Sequence, residues 1–198
     1  MARLRTSVAK IGGSLLTAPN LAQRLRTWLE AETAAQPGTH FVLLVGGGRL
    51  VDMVREIDAR VPLGDEAAHQ IAIALMDVSS QIVASMLPEL SCTADFDELL
   101  RRIEAPGITL FRPCRFMTEV EPHHAGLRLP ASWMVTSDSI AARLAIVLGA
   151  KELVLAKSLP PPRAASPDAI SLWAEAGYVD AYLPRLSAEI PAVRAVVP

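Results

Sequence analysis

Short apolar runs alternate with stretches of helical spacing along the first third of the chain. The runs at 7–11 and 41–45 predict buried strands, and each of them ends in consecutive glycines. After these glycine turns, apolar residues recur at helical intervals over 21–35 and 50–59. Two successive strand–turn–helix units are typical of a parallel sheet packed against helices.

The same alternation continues to the end of the chain, with one interruption. From 112 to 129, Pro, His, Gly and Arg accumulate, which predicts a loop with room for a short hairpin. Pro160, Pro161 and Pro162 begin an extended, mobile loop, and the apolar tail 178–198 is expected to pack. The other predicted elements are helices over 65–87, 95–102, 136–148 and 168–176 and strands over 107–111 and 152–156. We therefore predict an α/β fold, a three-layer α/β/α sandwich with a mainly parallel sheet.

Composition narrows the possible environments and partners. Of the 198 residues, 51% are hydrophobic and 20% are charged, and the formal net charge is -2 with both signs interspersed. This balance provides no basic surface for nucleic acid and no polybasic membrane patch. Cys92 and Cys114 do not make a disulfide framework, and neither an apolar signal region nor a bilayer-length stretch occurs. We expect a cytoplasmic protein whose high mean hydropathy reflects a large core and a buried oligomer interface.

The first candidate phosphate site is the turn after the first strand, which carries Lys10, Gly12, Gly13 and Ser14. Paired glycines let backbone N–H groups approach an anion closely, and a lysine at the strand end can reach the same phosphate. The alternative is a plain strand-to-helix turn.

The second candidate is the turn after the second strand, where Gly46, Gly47 and Gly48 stand in a row. Three glycines are costly in chain entropy, which favours close approach of a ligand over a plain turn. The sequence matches neither the dinucleotide fingerprint nor the P-loop motif. Asp52 follows on the first helical turn, where it either binds substrate or is simply solvated.

Three further positions could join these loops. Ser137 and Asp138 stand with Thr136 at a helix start, as cap candidates or as an anion-facing helix end. Lys157 follows the strand 152–156, where a side chain points into a ligand crevice or into solvent. Since the carboxyl ends of parallel strands share one edge, we predict that Lys10, Gly47, Asp138 and Lys157 cluster there. Two lysines flanking a carboxylate would stabilise charge on a transferring phosphoryl group.

Histidines and tryptophans are weaker candidates. A packed or interface histidine is the default reading of His69, within the long helix. No metal site is predicted, because the adjacent His123 and His124 would point opposite ways in an extended segment. We interpret the tryptophans as packing residues, namely Trp28, Trp133 and Trp173.

The order of these segments resembles the amino-acid kinases, a family that includes acetylglutamate, carbamate, uridylate and isopentenyl phosphate kinases. The resemblance covers residues 6–158. Stretches 68–77, 129–142 and 179–184 are similar to a short branch that contains a methanofuran-biosynthesis kinase. This resemblance implies ATP- and Mg²⁺-dependent phosphorylation of aminomethylfuran-methyl phosphate in one-carbon metabolism.

The resemblance also implies residue roles and an internal division of one domain spanning 1–198. Lys10 would stabilise the transferring phosphoryl group, both glycine loops would hold phosphates, and Asp138 would organise Lys10 and Lys157. Residues 1–135, with His69, would bind the acceptor, and residues 136–198 would form a reduced nucleotide side. We expect a homodimer that uses the helix 65–87, since its apolar residues occupy several faces.

Two departures from the family pattern leave an alternative open. The larger kinases carry a late Gly-Gly-Met segment with a following lysine, and no such segment follows Ser158. Met134 stands where the branch pattern leads us to expect an acid. The alternative function is therefore a non-catalytic ligand-binding or regulatory subunit of the same fold, without nucleotide turnover.

Overall fold

The computed structural model describes residues 5–162 and 169–198, and its core is one six-stranded sheet. The strands are β1 (Arg5–Ile11), β2 (Thr39–Val45), β3 (Ser91–Thr93), β4 (Gly107–Phe111), β5 (Glu152–Ala156) and β6 (Val193–Val196). They lie in the order β3-β4-β2-β1-β5-β6, and every described pairing is parallel. The predicted parallel α/β sheet is confirmed.

Helices connect and cover these strands. They are α1 (Leu21–Ala35), α2 (Arg49–Arg60), α3 (Asp65–Met86), α4 (Phe96–Arg102), α5 (Ser137–Leu148), α6 (Ala169–Glu175) and α7 (Leu183–Ser187). A 3₁₀ turn over Gly13–Thr17 follows β1. Across the described ranges, no helix combines the length and the apolar character needed to cross a membrane.

Apolar packing on both faces of the sheet explains why the central strands are continuous hydrophobic runs. On one face, Leu25 and Trp28 of α1 pack in a cluster with Phe41 and Val154 of the sheet. On the other face, α4 to α7 form a larger cluster with alternate residues such as Val42 and Leu153. All seven residues of β2 are buried, as expected for a parallel strand covered on both sides.

Two strands and one irregular stretch differ from the sequence-based expectations. The edge strands β3 and β6 were not predicted, because they are three and four residues long and mostly incompletely buried. The hairpin expected within 112–129 is wrong, since this stretch forms a π-helical turn over Phe116–Val120 and a 3₁₀ turn over Glu121–His123. The extended loop and the helix start expected over 163–168 lie outside the described residues.

The strand order also decides where the glycine turns meet. β1 lies between β2 and β5, with Ile11 in register with Val45 on one side and Ala156 on the other. The carboxyl ends of these three central strands therefore coincide. The two glycine turns and Lys157 leave the sheet at this shared edge.

Candidate active site

A buried carboxylate held between two lysines forms the centre of the shared edge. Lys10 is the penultimate residue of β1, Lys157 directly follows β5, and Asp138 lies in the first turn of α5. Lys10 Nζ lies 3.0 Å from Asp138 Oδ1, and Lys157 Nζ donates a 2.7 Å hydrogen bond to Oδ2. Asp138 is only 3% exposed. The predicted clustering of these side chains is confirmed.

The electrostatics of this cluster favour the ionised form of the Asp138 carboxylate. Burial works against ionisation of Asp138, but the charges of Lys10 and Lys157 outweigh it and hold its pKa below the ordinary value. Burial, followed by the positive charge of Lys10, lowers the pKa of Lys157, while Asp138 and Asp180 oppose this shift. The Lys157 ammonium also donates to the carbonyl of Tyr178 at 2.7 Å. With both lysines protonated, the cluster carries one net positive charge, which would attract an anion.

The two glycine turns touch each other through their backbones. A Cβ on Gly13 would lie 2.1 Å from the Gly48 nitrogen, and a Cβ on Gly48 would lie 2.4 Å from the Gly13 oxygen. Gly48 also adopts φ 53° and ψ -142°, a conformation that a side chain disfavours. Gly13 and Gly48 are therefore required for the two turns to pack against each other, a requirement that the sequence did not predict.

Gly46, at the start of the second turn, leaves room for Ser137 and Lys10. A Cβ on Gly46 would lie 2.8 Å from Ser137 Oγ and 3.2 Å from Lys10 Cε. The backbone N–H groups of Gly47 and Gly48 have no hydrogen-bond partner within residues 5–162 and 169–198. Free backbone donors next to a buried ammonium are the features expected of a phosphate-binding loop.

These features open into one crevice of about 740 Å³, within the range typical of small-molecule sites. Nearly all of the predicted binding residues line it, and these are Gly12, Gly13, Ser14, Gly47, Gly48, Asp52, His69 and Ser137. Gly46 is buried behind the lining. Ser14 Oγ lies 3.2 Å from Ser158 Oγ at the exposed mouth.

The wall formed by α2 and the segment before α5 contains residues that the sequence analysis missed. Trp133, interpreted from the sequence as a packing residue, also lines the crevice. Its indole N–H donates to Asp58 at 2.8 Å, and the Arg55 guanidinium lies 4.9 Å from the ring centroid. Arg55 also lies 3.7 Å from Asp52, whose side chain is 61% exposed. An aromatic plane, a cation and a carboxylate thus share this wall.

His69 reaches the same wall from α3. It is buried, and burial lowers the pKa of its imidazole, against a weaker hydrogen bond with the backbone of Ser132. The ring is therefore neutral at pH 7 and can donate or accept hydrogen bonds. His69 is thus buried, as the default interpretation of a helical histidine expects, and it also lines the crevice.

The start of α5 is capped differently from the sequence-based expectation. Thr136 occupies the N-cap position without a side-chain cap, and both Asp138 oxygens face lysines. Asp180, from the segment before α7, instead accepts hydrogen bonds from the backbone N–H groups of Thr136 and Ser139. The anion at this helix end is therefore the protein's own carboxylate. The sequence does not mark Asp180 as the cap of α5, because its partners in that helix lie 41 to 44 residues away.

The donor set fits a cation that arrives on phosphate groups. Within the described residues, no group of three or more His, Cys, Asp or Glu side chains is arranged to hold a metal ion. The buried carboxylate of Asp138 is already held by two lysines. Mg²⁺ is often bound by substrate phosphates with few protein ligands, and the lysines and glycine amides suit such phosphates.

Comparison with known proteins agrees with this geometry. The sequence profile of the amino acid kinase family matches residues 5–161. The (5-(aminomethyl)furan-3-yl)methyl phosphate kinase of Methanocaldococcus jannaschii is 28% identical over 152 residues, which are 75% of this chain and 64% of that relative. This chain thus spans less than two thirds of the relative's length.

Solved structures show the same fold at low sequence identity. Uridylate kinase from Archaeoglobus fulgidus superposes with a TM-score of 0.60 and 17% identity, over 97% of this chain and 90% of that one. UMP kinase from Ureaplasma parvum superposes with a TM-score of 0.64 and 14% identity, over 98% of this chain and 90% of that one. Aspartate kinase from Synechocystis superposes with a TM-score of 0.62 and 14% identity, over 96% of this chain but only 38% of that one.

Proposed function

This chain belongs to the amino acid kinase family, and we propose that it transfers the γ-phosphoryl group of MgATP to a phosphate monoester. The observation that carries the proposal is the buried Lys10–Asp138–Lys157 cluster beside two glycine turns. Phosphoryl transfer demands positioning and charge stabilisation more than covalent chemistry. Two oriented ammonium groups and free backbone N–H groups supply both.

Each residue of the cluster has a distinct role in this proposal. Lys10, at the end of β1 beside Gly13, stabilises negative charge on the transferring group as it shifts between bridging and terminal oxygens. Lys157 holds phosphate from the β5 side, and Asp138 orients both ammonium groups. Mg²⁺, bound to the nucleotide phosphates, supplies further charge neutralisation. The N–H groups of Gly47 and Gly48 bind phosphate oxygens.

The acceptor is proposed to bind on the 1–135 side and the nucleotide on the 136–198 side. We take (5-(aminomethyl)furan-3-yl)methyl phosphate, called the furan phosphate below, as the first acceptor to test, because it is named for the 28% identical relative. The crevice wall suits such a molecule: Trp133 and His69 offer flat surfaces for a ring, and Asp52 offers a carboxylate for an amine.

The decisive experiment follows ATP consumption with the furan phosphate and detects the diphosphate product by ³¹P NMR. UMP and aspartate serve as competing acceptors, since the structural neighbours include UMP and aspartate kinases. Lys10→Ala should abolish turnover. Lys151→Ala is the matched control, because Lys151 lies before β5 at the opposite edge and donates to Thr39. Turnover that Lys10→Ala leaves intact would contradict the assigned mechanism.

The alternative is a non-catalytic binding or regulatory subunit. It is favoured by the absence of a Gly-Gly-Met segment after Ser158. Calorimetry with MgATP distinguishes the two, because the kinase requires nucleotide binding and the alternative does not. A wild-type protein that binds the furan phosphate but does not bind MgATP would support the alternative.

We also propose that the protein is a homodimer joined through α2 and α3. Both helices leave large apolar side chains exposed, and these are Leu50, Met53, Ile57, Ile71, Val78, Ile82 and Met86. Large apolar side chains that recur on the exposed faces of two helices are expected at an interaction site. Light scattering should give twice the 21.2 kDa mass of the chain. A monomer at high micromolar concentration would refute this assembly.

A further inference from the structure

Asp180 collects hydrogen bonds from two separate helix starts. Its Oδ2 accepts from the Thr136 backbone N–H at 3.0 Å, the Thr136 hydroxyl at 2.9 Å and the Ser139 backbone N–H at 2.9 Å. Its Oδ1 accepts from the Ser139 hydroxyl and from the backbone N–H groups of Tyr182 and Leu183 at 3.1 and 3.0 Å. One carboxylate therefore joins the first turn of α5 to the turn that begins α7.

The α5 contacts bracket Asp138 in the chain. Thr136 precedes Asp138 by two residues and Ser139 follows it directly, so the Asp138 backbone lies inside the hydrogen-bonded turn. Because Asp180 satisfies the helix N-terminus, the Asp138 side chain is not needed as a cap. Both of its oxygens are then available to the lysines.

The same segment also holds Lys157. The carbonyl of Tyr178, two residues before Asp180, accepts a 2.7 Å hydrogen bond from Lys157 Nζ, and the Tyr178 ring lies 5.1 Å from that nitrogen. The charged groups that act on Lys157 are Lys10 from β1, Asp138 from α5 and Asp180 itself. Asp180 is the second carboxylate that favours the protonated lysine.

We infer that Asp180 is a positioning residue, which fixes Asp138 through the α5 helix start and Lys157 through the 178–180 segment. Its own oxygens are taken up by the hydrogen bonds from α5 and from the start of α7. In this role Asp180 sets the distance and orientation of Asp138 and Lys157. The inference rests on the proposed phosphoryl transfer for its kinetic consequence only, and its geometric consequence can be measured without turnover.

Asp180→Asn is an informative substitution, because both carboxylate oxygens accept from backbone N–H groups. An amide nitrogen would face either Thr136 and Ser139 or Tyr182 and Leu183, and it cannot accept from them. Asp95→Asn is the matched control. Asp95 caps α4 by accepting from the Glu98 backbone N–H at 2.8 Å, away from the crevice.

The experiment measures two quantities on both variants, at a temperature where circular dichroism shows each to be folded. The first is kcat and KM for MgATP and the furan phosphate. The second is the titration of the Lys157 ammonium, followed through its ¹³Cε NMR signal and assigned by its loss in Lys157→Gln.

We expect Asp180→Asn to lower kcat by about ten- to a hundredfold, as for a displacement near 1 Å, with smaller changes in KM. The Lys157 midpoint should move to lower pH, because one stabilising carboxylate is lost. Asp95→Asn should change neither quantity, because asparagine still accepts from the Glu98 backbone N–H. Equal kcat and an unmoved Lys157 midpoint in Asp180→Asn would overturn the inference and leave Asp180 a helix cap. If the wild type shows no turnover, the proposed function fails, and the Lys157 titration still decides the role of Asp180.

Discussion

Replacing Asp138 by asparagine should destabilise the protein far more than a surface substitution would. The wild-type carboxylate is 3% exposed and lies 3.0 and 2.7 Å from two ammonium groups. Removing one partner of a buried charge pair costs about 3–5 kcal/mol, because the remaining charge is left uncompensated. Asparagine keeps one acceptor oxygen, so we expect about 3 kcal/mol, or a melting temperature lower by roughly 6–12 °C for a chain of this size.

From the sequence, Asp138 was one of the cap candidates at the start of α5, a role that asparagine would keep. The structure gives it another role, since both oxygens face lysines. The amide nitrogen of the variant would lie against Lys10 or Lys157, where two donors meet without an acceptor. Activity should fall at least about a hundredfold, because neither ammonium group stays oriented.

The loss of stability in Asp138→Asn depends on pH with a defined sign. An unfolded lysine stays protonated up to a pKa of about 10.4, whereas the folded-state pKa of Lys157 lies lower. Asp138→Asn lowers it further, because the charge of Asp138 raises it. Between the two pKa values the unfolded chain binds more protons, so stability rises with pH. The stability deficit of the variant should therefore be largest at neutral pH. It should shrink as the pH rises towards the pKa of the unfolded lysine.

Urea unfolding at pH 7 and pH 9, followed by circular dichroism, tests both the size and the sign. Glu152→Gln is the matched control, since Glu152 is another buried carboxylate and accepts a 2.9 Å hydrogen bond from Arg194 away from the crevice. The control should lose stability without losing kcat. A variant Asp138→Asn as stable as wild type, or one whose deficit grows with pH, would refute the argument.

The remaining predictions concern the two ends of the sheet. Lys10→Ala should reduce kcat by about a hundredfold or more but cost less stability than Asp138→Asn. Its side chain lines the crevice with only 6% of its surface exposed, and Lys157 would still pair with Asp138 in the variant. A near-normal kcat would exclude a catalytic role for Lys10. Gly13→Ala should destabilise the fold by about 3 kcal/mol or more, since its Cβ would meet backbone at 2.1 Å. Gly12→Ala should fold, because its Cβ would lie 3.1 Å from its nearest neighbour. Equal melting temperatures of the two variants would contradict this. For Glu152→Gln, the stability deficit should disappear in acid, because the folded-state pKa of Glu152 lies below its ordinary value. The stabilising contribution of the wild-type carboxylate is lost as the pH falls through that folded-state pKa. A pH-independent deficit would contradict this.

Residues with a local signal could be predicted from the sequence. Lys10, Gly13 and Gly47 belong to turns that directly follow apolar runs, and a parallel sheet brings such turns to one edge whatever the details of packing. The long helix α3 was visible from its periodicity, and its boundaries agree with the expectation within one residue.

Features that depend on distant partners could not be predicted in this way. The strand β6 consists of four half-buried residues, and its strand conformation depends on pairing with β5. Trp133 is an ordinary packing residue by sequence, and only its contacts with Asp58 and Arg55 place it on the crevice wall. The 112–129 segment was misread because its prolines suggested a loop, whereas its structure follows from burial of Phe116 and Met117.

The sequence by itself determined the parallel α/β fold, the two glycine turns and the three charged residues at one edge, because strand periodicity and turn composition are local properties. Only the tertiary structure decided which acceptor each charge meets. Asp138 could have capped its own helix, but Asp180 arrives from 42 residues away and takes that role. A carboxylate accepts hydrogen bonds from whichever donors the fold brings within 3 Å, and no pattern along the chain encodes that proximity.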